Sequence, residues 1–92
     1  MGKETTLFKS EEKKSATEIA QTLRLMADKI DAGSMTLKKG NKDVRLDFPG
    51  TMTFELKVED EQGKRRLKRS FEIELEWVPG ARDDDPGTTT IL

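Results

Sequence analysis

Three glutamates alternate with apolar residues late in the chain, at Glu72, Glu74 and Glu76. On an extended strand, residues two apart point the same way at a spacing of about 6.6 Å. Carboxylates in such a row can contribute to a Ca²⁺ or Mg²⁺ site or serve as an acid and base pair. A Ca²⁺ site needs oxygens that converge on one point, however, and a strand face diverges. A solvated outer face, with glutamates meeting cations on the next strand, is therefore the expectation, with no metal and no cofactor. The second chemical signal is the basic run Lys64, Arg65, Arg66, Lys68 and Arg69, interrupted by Leu67. It has enough charge to contact a phosphate backbone, although no aromatic is interleaved to stack on bases.

Composition narrows the remaining chemistry. The chain has 92 residues with no cysteine, histidine or tyrosine, which removes disulfides, thiolate nucleophiles and the commonest general base and metal ligand. Seventeen Lys and Arg balance 18 Asp and Glu, so any charge-based function is local. No nucleophile elbow or phosphate-cradling glycine loop occurs, and the expectation is a non-catalytic protein. The first residues carry no apolar leader and no run is long enough to span a membrane, which predicts a soluble, cytoplasmic chain.

With 33% hydrophobic and 38% charged residues, folding depends on strict placement of the apolar positions. Ser15-Ala16-Thr17-Glu18 is a capping box that predicts a helix start. Ile19, Leu23, Met26 and Ile30 then form an apolar stripe, with Ala16, Ala20 and Ala27 beside it, and Gly33 ends the helix. Arg24 and Asp28 are expected to pair on its wet side. Beyond Gly33 the period changes to two, giving strands over 35–39, 42–48, 52–60 and 65–78. Gly40-Asn41 suits a two-residue hairpin turn, and Pro49-Gly50-Thr51 would place Phe48 opposite Met52. A Gln62-Gly63 turn would set Val58 against Leu67, Phe54 against Phe71, and Arg69 against Leu56. In that register Lys64, Arg65 and Arg66 face Glu61, Asp60 and Glu59, which neutralises the basic run. The segment 5–12 around Leu7 and Phe8 is a further strand candidate.

The expected fold is therefore α+β: an antiparallel sheet of four to five strands with one amphipathic helix packed on one face, in the order β-α-β-β-β-β. Residues 1–78 would form a single domain and 79–92, with Asp83, Asp84 and Asp85, a disordered acidic tail. Trp77 closes the apolar series, either plugging the core at the sheet edge or marking a partner-facing hot spot. Leu25 lies off the main helix stripe and could join the same patch.

The alternation Ser70-Phe71-Glu72-Ile73-Glu74-Leu75-Glu76-Trp77 resembles the signature of the amphi-Trp domain family. Leu7-Phe8-Lys9-Ser10-Glu11-Glu12-Lys13 and Leu25-Met26-Ala27-Asp28-Lys29-Ile30-Asp31-Ala32-Gly33 resemble the same family, so the likeness spans about residues 4 to 78. It implies a small prokaryotic domain and assigns no chemistry. The function expected is binding, with another protein as partner and the chain a monomer or weak homodimer. The contact would run through an exposed sheet edge or through the charged sheet face, with Arg45, Glu55, Glu72, Glu74, Glu76 and Trp77 as candidate residues. The alternative is a nucleic-acid-binding module using the basic run Lys64 to Arg69.

Overall fold

The capping box is formed as the sequence dictates. In the computed structural model, which describes residues 2–80, the Glu18 backbone N–H donates to Ser15 Oγ at 3.1 Å. The Ser15 N–H in turn donates to Glu18 Oε1 at 3.1 Å. Helix α1 runs from there over Ala16–Ala32 and stops at Gly33, whose φ of 99° lies in the left-handed region that costs glycine least. The Gly33 N–H donates to the Lys29 and Ile30 carbonyls, closing the last turn. Arg24 and Asp28 do not form the expected ion pair; both stay solvated, consistent with how little an exposed pair is worth.

Four strands follow, β1 (Ser34–Lys39), β2 (Lys42–Asp47), β3 (Thr53–Gln62) and β4 (Leu67–Glu76), so the chain is α+β with antiparallel pairing throughout. The strands pair as two hairpins, β1 with β2 and β3 with β4. The β2–β3 pairing expected across Pro49-Gly50-Thr51 is not formed, and residues 5–12 adopt no strand. The described residues fall into two compact units that divide between Phe48 and Pro49. The expected tail lies almost wholly outside the described residues, which end at Gly80.

In the first unit, α1 touches β1. Lys39 opposite Lys42 leaves Gly40-Asn41 as the two-residue turn, and Gly40 at φ 59° with no other positive φ nearby makes it type II′. Met35 faces Leu46 and Leu37 faces Val44, all half-buried. The apolar side chains of α1 are unequally covered: Met26 and Ile30 are half-buried, whereas Ile19 and Leu23 remain exposed.

The second unit corrects the expected register. Phe54 faces Leu75, Leu56 faces Ile73 and Val58 faces Phe71, four residues away from the expected alignment. The physical reason is Arg69, which in the expected register would oppose Leu56. Here it opposes Asp60, with Nε donating to Oδ1 at 2.7 Å and an Nη donating to Oδ2 at 3.0 Å. The loop lengthens to Gly63–Arg66, closed by the Gly63 N–H donating to the Arg66 carbonyl at 2.9 Å. Because the slip is even, every side chain keeps its expected face. The inner face itself is not buried, and no described residue of the chain is fully buried.

Candidate functional site

The β3–β4 hairpin carries the densest charge on one face. By strand alternation, Thr53, Glu55, Lys57, Glu59 and Glu61 of β3 share that face with Glu76, Glu74, Glu72, Ser70 and Lys68 of β4. Six glutamates against two lysines leave a local excess of negative charge. Lys57 sits among them, its Nζ 3.3 Å from Glu59 and 3.5 Å from its cross-strand neighbour Glu72. The hydrogen bond and charge of Glu59, then those of Glu72, hold the Lys57 ammonium above its ordinary pKa.

Toward the end of the hairpin away from the turn the carboxylates outnumber the cations, with Lys57 near enough to Glu74 to oppose part of their charge. Glu55 lies directly opposite Glu74, a like-charge pairing that destabilises a sheet. Glu76 lies on the same face as Glu74, two residues along β4. Hydrogen bonding to Glu76, then the Glu76 charge, pushes the Glu74 carboxyl upward. Of the expected interaction residues, Glu55, Glu72, Glu74 and Glu76 are thus brought onto one surface. Trp77 follows β4 and is half-buried. Arg45 lies on β2 opposite Thr36, its Nε donating to Asp47 Oδ1 at 3.0 Å, and belongs to the other unit. No group of three or more acidic side chains is placed to hold a metal ion among the described residues.

The basic run is not neutralised in the way the sequence suggested. Lys64, Arg65 and Arg66 occupy the β3–β4 loop and, among the described residues, have no cross-strand partner and make no ion pair. Lys68 opposes Glu61 without closing an ion pair, while Arg69 is held by Asp60. The hydrogen bond between them lowers the Asp60 pKa and raises that of Arg69.

Between α1 and β1 lies an open groove of about 360 Å³, lined by Thr22, Leu25, Met26, Lys29, Met35 and Leu37 among others. The available signal was Leu25, whose place off the main helix stripe is explained by its position in this groove.

A small α+β domain with alternating apolar and acidic strands that end at a single tryptophan defines a recognisable class. The chain belongs to the Amphi-Trp domain family, whose model matches residues 1–92. No curated protein and no solved structure matches it. Among the described residues, no helix is long and apolar enough to cross a membrane.

Proposed function

We propose that this chain is a non-catalytic, cytoplasmic protein-interaction module whose acidic β3–β4 face docks a basic surface on another protein. The observation that carries this reading is the placement of Glu55 opposite Glu74, with Glu72 and Glu76 on the same face of β4. Like charges across a strand pair cost stability, and a cationic partner would convert that cost into binding energy. Complementary charge on an exposed face mainly raises the association rate and selects the partner, so binding should weaken steeply with salt. The test is affinity capture from the host lysate with the wild-type chain and with a Glu55→Lys, Glu74→Lys double variant. A protein recovered by the wild type at low salt, lost at high salt and lost with the variant is the expected result. Equal recovery by both chains, or recovery of nothing, would overturn the reading.

A second reading has its own support in the loop cations. With Lys64, Arg65 and Arg66 clustered in the β3–β4 loop and unpaired among the described residues, the hairpin tip can meet a phosphate backbone, which is sequence-independent and salt-sensitive contact chemistry. Fluorescence polarisation with short DNA and RNA at low salt tests it; the reading fails if no binding occurs or if a Lys64→Ala, Arg65→Ala, Arg66→Ala variant binds equally well.

A further inference from the structure

The β3–β4 hairpin changes its charge along its length. At the tip, the loop sets Lys64, Arg65 and Arg66 side by side. The three strand pairs beneath it carry no net charge: Gln62 with Leu67, Glu61 with Lys68, and Asp60 with Arg69, the last joined by two hydrogen bonds. Beyond them Glu59 and Glu72 share the single Lys57, and the carboxylates of Glu55, Glu74 and Glu76 follow. Resting on the nucleic-acid reading above, we infer that the ligand of this tip is duplex DNA, which the hairpin enters end-on through the major groove.

Charge decides the direction of approach. Laid flat, the hairpin would press either its carboxylates or its apolar side chains against the phosphates, so only the tip attracts a polyanion. Three adjacent cations are too costly to bury without anions beside them, and the loop therefore keeps its access to a ligand. The lengths also agree. A B-form major groove is about 12 Å wide and about 8.5 Å deep and admits a two-stranded ribbon. From Gln62 to Glu59 the strand rises about 10 Å, so the tip can reach the groove floor before Glu59 meets the phosphate walls. Other nucleic acids fit less well. Single strands are held by stacking on aromatics, and Phe71, the aromatic of the hairpin nearest the loop, lies four residues beyond the start of β4, about 13 Å along the strand. The major groove of an A-form RNA duplex is too narrow to admit the ribbon.

The full chain is titrated at low salt against labelled duplex DNA, single-stranded DNA of the same sequence and duplex RNA, with fluorescence polarisation as the readout and sedimentation with phosphatidylserine vesicles in parallel. Duplex DNA should bind on the order of tenfold tighter than either other nucleic acid. About three phosphate contacts set a salt slope of about −2.7, which is roughly a 40-fold loss of affinity from about 50 to about 200 mM salt. Dimethyl sulfate footprinting reports the groove with the wild-type chain and needs no variant to fold. Guanine N7, on the major-groove edge, should be protected, while adenine N3, on the minor-groove edge, should react as in free DNA. No binding to any nucleic acid, or tighter binding to the vesicles, would overturn the nucleic-acid reading and the groove assignment together. Single strands or duplex RNA bound as tightly as duplex DNA, or protection at adenine N3 in place of guanine N7, would leave phosphate contact standing and overturn the groove assignment alone.

Discussion

Replacing Ser15 by alanine removes the hydroxyl that accepts the Glu18 N–H at 3.1 Å, while the Ser15 carbonyl continues to accept the Ile19 N–H at 3.0 Å. Loss of such a cap costs about 1 kcal/mol. Helix α1 is poorly placed to absorb that cost. Its N-terminal half carries Ile19 and Leu23 in exposed positions, so little packing holds the first turns once the cap is gone. A cost of about 1 kcal/mol corresponds to roughly a fivefold rise in local opening, which native-state amide hydrogen exchange resolves residue by residue. Exchange at Ile19 to Leu23 should accelerate about fivefold in Ser15→Ala. Amides of β3 and β4 should not change, and Ser15→Asp should restore most of the protection. Acid should reproduce part of the effect in the wild type. The Ser15 backbone N–H, then its hydroxyl, hold the Glu18 carboxyl below its ordinary pKa. The stabilisation it provides is therefore present above the ordinary glutamate range and is lost as pH falls through the lowered value. Unchanged exchange at Ile19 to Leu23, or equal acceleration in α1 and in β3–β4, would refute the assignment of helix stability to the cap.

Three further outcomes follow from the same geometry. Glu74→Gln should raise the thermal midpoint at neutral pH and flatten its pH dependence. The raised Glu74 pKa gives stability that is present below its ordinary value and lost as pH rises through the raised one, so a variant as pH-sensitive as the wild type would contradict this. Arg69→Ala should speed amide exchange at Asp60 to Gln62, with a smaller effect in high salt because the ion pair is solvent-exposed; an effect undiminished by salt would mean that packing dominates. Met26→Ala, at a half-buried position in the α1–β1 groove, should cost about 1–2 kcal/mol by chemical denaturation, less than a fully buried site, and a cost near zero would show that α1 is not anchored there.

What the sequence revealed was local. The capping box, the Gly33 stop and the Gly40-Asn41 turn each depend on residues within four positions of one another, and each is formed. Strand faces were also legible, because alternation assigns a side chain to a face whatever strand lies beside it. Partner and register were not. The two alignments of β3 with β4 differ by an even number of residues and therefore share their apolar faces; they are separated by whether Arg69 meets Leu56 or Asp60. The shortest loop, Gln62-Gly63, excludes that ion pair and would place Lys64, Arg65 and Arg66 opposite Glu61, Asp60 and Glu59. Likewise, alternation in β2 and β3 could not show that each would pair away from the other. For the candidate site, the row Glu72, Glu74 and Glu76 was visible at once, but its meeting with Glu55 follows from register, and Arg45 was grouped with them only through an assumed continuous sheet.

Both faces of the hairpin, and the position of Lys64 to Arg66 in its loop, rest on the β3–β4 register. Backbone NOEs between the two strands measure it directly. Cross-strand contacts pairing Val58 with Phe71, Leu56 with Ile73 and Glu55 with Glu74 are expected. Contacts pairing Val58 with Leu67 and Phe54 with Phe71 would contradict it, because Lys64 to Arg66 would then face Glu59 to Glu61 and Glu74 would no longer oppose Glu55.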